Sequence, residues 1–150
     1  MTRLVGIDLG ERRIGVAIAE EPGPRARPLT TVVRGASAAR DAGALRLAAG
    51  DADLELVVGL PLEASGSEGP MVAGARAWAA DVAAATGWQV GFRDERLSSY
   101  RAEERVGPMK RGRSGGPPTP VQRRAWRERV DREAAAIILQ DELDARVPRG

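Results

Sequence analysis

Two short apolar runs, Leu4–Leu9 and Ile14–Ala19, stand either side of the charged turn Glu11-Arg12-Arg13. Apolar runs of this length joined by a tight turn read as a β-hairpin. Pro22, Gly23, Pro24 and Pro28 then form a loop, and Leu29–Val33 reads as a third strand. Beyond Val33 the pattern changes from strands alone to strands alternating with helices. Ser37–Ala49 predicts a helix, Leu54–Leu60 a strand buried on both faces, Glu63–Gly69 a loop, and Pro70 to about Thr86 a helix ended by Gly87. Gln89–Glu95 is a strand ending in acids. Ser98 and Ser99 cap a short helix from Tyr100 to Val106, and Thr119-Pro120 starts a long helix that runs to about Val147. An antiparallel meander followed by alternating strands and helices gives an α/β domain, a mixed sheet with helices on its faces. The 150 residues suffice for one such domain and hardly for two. The stretch Gly107–Pro118, with four glycines and three prolines, is expected to be a mobile loop.

Composition limits the chemistry. The chain has no His and no Cys. That excludes Ser-His-Asp and Cys-His relays and the usual zinc sites. The absence of cysteine fits a cytoplasmic location. An acid at position 8 comes too early for a signal peptide, and no apolar run approaches the ~18 residues that span a bilayer, so no membrane partner is expected.

The net charge is only +2, but it is unevenly spread. From Arg105 to Arg132 nine basic residues face two acids, Glu128 and Asp131. A basic stretch on a small chain suggests a polyanion partner, and arginine's planar fork suits phosphate. Lys110, Arg111, Arg113, Arg123, Arg124 and Arg127 are the candidate phosphate contacts; a solvated charged face is the alternative. Trp126 either stacks on a base or packs against the sheet, whereas Trp78 and Trp88 read as packing residues.

With His and Cys gone, carboxylates on a hard metal are the strongest catalytic option left. Asp8 ends the first strand, where an Asp before a glycine-containing turn is equally an ordinary turn residue. Glu95 ends a later strand beside Asp94; the two point to opposite faces, so only one can join a cluster. Asp131 lies close to the apolar face marked by Val130, Ala134, Ile137 and Ile138. A carboxylate there is costly unless it is paired or on a metal. A solvated acid beside Arg127 or Arg132 is the competing reading.

Four segments, in order, carry a resemblance. Gly6-Ile7-Asp8-Leu9-Gly10 with Arg13-Ile14-Gly15-Val16-Ala17 resembles the opening of the YqgF/RuvX family of RNase H-like nucleases. Val58-Gly59-Leu60-Pro61-Leu62 with Gly66-Ser67-Glu68-Gly69 is similar to its second motif, and Asp94-Glu95-Arg96-Leu97-Ser98 to its third. Val130-Asp131-Arg132-Glu133-Ala134-Ala135 with Ile138-Leu139-Gln140 resembles its last. Arg127 and Arg129 stand where the family tends to have lysine, and the Gly107–Pro118 loop is longer and richer in Gly and Pro. The resemblance implies an RNase H-like fold, with a five-stranded mixed sheet, the first three strands antiparallel, flanked by helices. It also implies that the catalytic and metal-binding acids are Asp8, Glu95 and Asp131, which selects Glu95 over Asp94.

Two Mg²⁺ or Mn²⁺ ions on these acids would hold the attacking water and the leaving oxygen of a phosphodiester without any histidine base. Arg13 and Arg96 either steady the scissile phosphate or hold the acids by salt bridges. Ser65 and Ser67 either donate to phosphate or belong to an ordinary strand-to-helix loop. The family's two roles are maturation of the 5′ end of precursor 16S rRNA and resolution of four-way DNA junctions. The nucleic-acid partner is therefore precursor rRNA or a junction. A resolvase needs a two-fold dimer for paired cuts, whereas an rRNA nuclease can work as a monomer. The alternative function is a non-catalytic, nucleic-acid-binding ribosome-associated factor. An ATP-binding module of the actin and sugar-kinase kind, which also opens on an Asp-x-Gly hairpin, needs two such domains and is disfavoured by length.

Overall fold

The turn after Leu9 closes with the Gly10 N–H donating to the Arg13 carbonyl at 2.9 Å. Strands β1 (Thr2–Leu9) and β2 (Arg13–Glu20) pair antiparallel from Val5–Ile18 to Leu9–Ile14, as the hairpin pattern predicts. The computed structural model describes residues 2–20, 25–50, 53–61, 69–95 and 97–147. Strand β3 (Arg25–Val33) pairs antiparallel with β2 and starts earlier than expected. Pro28, expected in the preceding loop, lies inside it, opposite Ala17, where the register shifts between Val16 and Ala17. A proline survives there because β3 is an edge strand and an irregularity relieves the ladder of its missing N–H.

Strand β4 (Asp53–Leu60) runs parallel to β1, and β5 (Gln89–Asp94) runs parallel to β4. The sheet order is β3-β2-β1-β4-β5. Helices α1 (Ala38–Ala49) and α2 (Pro70–Thr86) cover one face. Their Leu45, Ala49, Val72 and Val82 meet Val5, Ile7, Ile14, Val16, Leu56 and Val58 in the larger core cluster. Helix α4 (Pro120–Arg146) covers the other face through Ala135, Ala136, Ile138 and Leu139, against Ala17 and Val57. Helix α3 (Ser98–Val106) packs on α4 around Ala102, Ala134 and Ile137. A mixed five-stranded sheet in this order between two helical layers is the RNase H-like fold.

Local chemistry sets the helix starts. Ser37 caps α1 by accepting from the Arg40 N–H at 3.2 Å. Thr119 and Gln122 form a reciprocal capping box at the head of α4. The expected serine cap on α3 is not used: the helix begins at Ser98, and the Ser98 hydroxyl donates back to the Glu95 carbonyl. In the 107–118 segment a short 3-10 turn, Arg113–Gly115, closes under a Gly112 N–H bond to the Gly116 carbonyl. The Gln122 amide donates to the Arg111 carbonyl and ties this segment to α4. Trp78 and Trp88 are buried, as expected of packing residues. Among the described residues no helix is long and apolar enough to cross a membrane.

Candidate active site

The face of the sheet under α4 is lined with small residues. A Cβ on Gly15 would strike the Asp131 carbonyl, and one on Gly6 would strike the Ala135 carbonyl and the Leu139 Cβ. One on Gly59 would strike the end of the Ile138 side chain. The backbone of α4 thus lies directly against β1 and β2. Asp8, paired with Gly15 in the ladder, shares this face with Gly6 by strand alternation. Asp131 arrives beside it because α4 sits down on Gly15.

The Arg13 Nε donates to the Asp131 carboxylate at 2.7 Å. The partner of Asp131 among the described residues is therefore an arginine of β2, across the helix–sheet interface, not Arg127 or Arg132 on its own helix. Burial pushes the Asp8 carboxyl up to about 7, the negative charge of Asp131 adds to the rise, and Arg13 pulls the other way. Arg13 is bonded to Asp131 and acts on Asp8 through its charge alone, so with both carboxylates ionised the pair would carry surplus negative charge.

Glu95 follows β5 directly, its N–H bonded to the Leu60 carbonyl at 3.1 Å. Its side chain is buried, while Asp94 is exposed. The strand-end choice between the two acids thus falls on Glu95 as the inward one. Glu95 does not stand alone. Arg93 Nε lies 3.5 Å from its carboxylate, and Arg101 reaches both it, at 4.0 Å, and Asp141, at 2.8 Å. Burial drives Glu95 up to about 8; its hydrogen bond to Asp141 and that residue's charge add to the rise, against Arg101 and Arg93. Burial acts to raise Asp141 too, but bonds from Arg101 and Glu95 hold it below the usual carboxylate range. Arg93 also donates to Glu142 at 3.3 Å.

Asp8 and Glu95 both lie at the carboxyl ends of parallel strands, with Gly59 between them in the sheet. The acids stand as two pairs, Asp8 with Asp131 and Glu95 with Asp141. Among the described residues no three carboxylates are close enough together to share one ion. Asp141, Arg101 and Arg93 carry no sequence signal as site residues. Asp141 lies ten residues beyond Asp131, outside any pattern that points at Glu95, and only the α3–α4 packing brings Arg101 to it.

The basic candidates fall in different places. Arg124 and Arg127 stand seven and four residues before Asp131 on α4 and share its helical stripe. Arg123 donates to the Pro118 carbonyl and Arg111 to the Gly115 carbonyl, so both brace the turn at the head of α4. Arg113 lies exposed in that turn, and Lys110 lines a cavity next to it. Ser65, Ser67 and Arg96 lie outside the described residues. Trp126 packs between α4 and α3, not on the sheet, with its Nε1 donating to the Gly107 carbonyl at 2.7 Å.

An RNase H-like sheet carrying a half-buried and a buried carboxylate, Asp8 and Glu95, at the ends of its parallel strands, under a helix that brings in another, defines the class. A family model described as "RuvX: Holliday junction resolvase" matches residues 2–145, and the chain belongs to that family. A protein of Anaeromyxobacter dehalogenans (strain 2CP-C), named "Putative pre-16S rRNA nuclease", is 46% identical over 147 residues, 97% of this chain and 99% of that one. A protein of the same name from Chloroflexus aggregans is 38% identical over 143 residues, covering 95% and 94% of the two chains. Among solved structures, Thermus thermophilus RuvC in complex with a Holliday junction substrate is 21% identical, over 97% of this chain and 96% of that one, at a TM-score of 0.44.

Proposed function

We propose that this chain is a nuclease that hydrolyses phosphodiester bonds with the help of Mg²⁺ or Mn²⁺. The observation that carries the reading is the Asp8–Asp131 pair: two carboxylates brought together at a strand end, in a member of the RuvX family, with Arg13 bonded to Asp131. Surplus negative charge on oxygen ligands fits a hard divalent cation. Asp8 with Asp131 would hold one ion and Glu95 a second, and the metal would supply an activated water and neutralise charge at the phosphate. The protein's own part is positional. The tight seat of α4 on Gly15 fixes Asp131 against Asp8, and Arg13 holds the Asp131 carboxylate at one angle. Arg101 and Arg93 hold Glu95, and Asp141 with it, at the next strand end. Arg124 and Arg127, on the Asp131 stripe, approach the phosphates that flank the cut.

The names of the relatives support precursor 16S rRNA as substrate, and the family description supports a four-way DNA junction. The test is to incubate the protein and Mg²⁺ or Mn²⁺ with a labelled junction and with a precursor-like RNA, alongside Asp8→Asn. Paired symmetric nicks absent from the variant support a dimeric resolvase. RNA cutting alone, absent from the variant, supports rRNA processing, which a monomer can perform in the cytoplasm. Equal behaviour of the two proteins, with nucleic acid bound but not cut, overturns the nuclease reading in favour of a binding factor.

A further inference from the structure

A cavity of about 280 Å³ opens beside the head of α4, lined by Lys110, Val121, Gln122, Ala125, Trp126 and Arg129. Its construction is specific. Gly107 takes a positive φ of 80°, which turns the chain after α3 and presents its carbonyl to Trp126 Nε1. That bond fixes the indole as one wall. Gln122 is held at both ends of its amide, by the Thr119 N–H and the Arg111 carbonyl. Ala125 leaves the space open, and Val121, 74% exposed, presents bare apolar surface to solvent. Lys110 and Arg129 have no acid partner among the described residues. Of the two acids in the basic stretch, Asp131 is engaged by Arg13 of β2.

A fixed aromatic ring, an apolar flank and two unneutralised cations match a nucleotide: a flat base joined to a phosphate. We infer that this cavity holds an unpaired base of a nucleic-acid strand, with the adjoining phosphate on Lys110 and Arg129. The inference rests on the nucleic-acid reading above but not on cleavage. The cavity residues lie on the side of α4 roughly opposite Asp131, at 100° per residue. The strand leaves the acids over Arg127 and Arg124 and rounds the head of the helix, so the captured base is several nucleotides from the cut. A blunt duplex offers no base to this cavity, and a single-stranded flank does.

The experiment measures dissociation constants by fluorescence anisotropy in metal-free buffer. The probes are a labelled twelve-nucleotide single strand, an abasic strand of the same length, and a poly-glutamate peptide. The abasic strand keeps the phosphates and removes the bases. The wild type should prefer the normal strand about ten-fold or more, the scale of one stacked base. Ala125→Leu, which fills the cavity, and Val121→Asp, which repels the strand, should each erase that preference; both positions are exposed on α4, so the fold is kept. Trp126→Phe, which keeps a ring, should retain part of it. Equal binding of normal and abasic strands by the wild type overturns the inference, as does a preference that survives both variants. Poly-glutamate competing as well as the strand, with the same sensitivity to the variants, overturns it in favour of an acidic protein segment. A base preference lost in the variants of a protein that never cleaves leaves this inference standing while the nuclease reading falls.

Discussion

The two faces of the sheet are built by opposite rules. Under α1 and α2 the strands present Val5, Ile7, Ile14, Val16, Leu56 and Val58, and side chains meet side chains. Under α4 they present Gly6, Gly15 and Gly59 beside Ala17 and Val57, and at Gly6 and Gly15 backbone meets backbone. The first face is held by apolar area, about 1.5–3 kcal/mol for each fully buried aliphatic side chain. The second gives up that area at three positions for proximity, and proximity is what carries Asp131 to Asp8. A core made of large side chains can yield to a change of shape by repacking. Where helix backbone rests on a glycine of the strand it cannot, because backbone does not rotate away. Stability and site geometry are therefore supplied from different sides of one sheet.

That contrast can be broken at its chemical centre. Asp8→Asn should abolish cleavage of whichever substrate the enzyme takes, while its metal-free melting temperature at pH 8 rises, because the amide removes a desolvated negative charge beside Asp131. A variant that melts lower and still cleaves would break the account. The glycines sharpen it by grading. Gly15→Ala should cost about 3 kcal/mol or more in urea unfolding, since its methyl meets helix backbone and over-packed sites rarely relax fully. Gly6→Ala should follow, and Gly59→Ala should cost least, because the end of Ile138 can swing aside. A reversed order would show that α4 shifts freely.

On the other face the polar clamp is the sensitive point. Asp41 is 2% exposed and accepts from Trp78 Nε1 at 2.9 Å and from the Gly35 N–H at 2.7 Å. Asp41→Ala leaves both donors unpaired and should cost about 1–3 kcal/mol, read from denaturant midpoints, with cleavage per folded molecule unchanged.

The remaining effect is a pH slope. Asp8 rises from 3.8 to about 7 and Glu95 from 4.5 to about 8 on folding. Each binds its proton more tightly folded than unfolded, so the stability they contribute is full below about pH 4 and is lost as pH climbs through 7 to 8. Metal-free protein should melt progressively lower from pH 5 to pH 8 in calorimetry, and Asp8→Asn should flatten part of that slope.

The strand and helix order is legible in the sequence because apolar runs and breakers alternate cleanly from Leu4 to Gly87. The choice of Glu95 over Asp94 needs the family resemblance, since alternation says only that they part; burial then shows which one turns inward. Pro28 reads as a loop residue because a proline is a breaker unless its strand is known to be an edge. The clamp of Asp41 on Trp78 joins residues 37 apart on two helices, a contact that no local pattern encodes. The seat of α4 does leave a trace: Gly6 with Asp8, and Gly15 with Ala17, put small or charged residues next to the site on one side of strands whose other side is Val, Ile and Leu, with Leu4 the one large apolar residue on that side. A small-residue face opposite a bulky one signals close approach by another backbone.

The most direct measurement compares cleavage per folded molecule for Gly15→Ala and Leu45→Ala, at a temperature where circular dichroism shows both folded. Leu45 is fully buried under the other face, and its truncation should cost about 2–5 kcal/mol. The division of labour between the two faces predicts that Leu45→Ala cleaves at the wild-type rate once corrected for folded fraction, and that Gly15→Ala does not cleave. Equal loss in both variants, or full activity in Gly15→Ala, would contradict it.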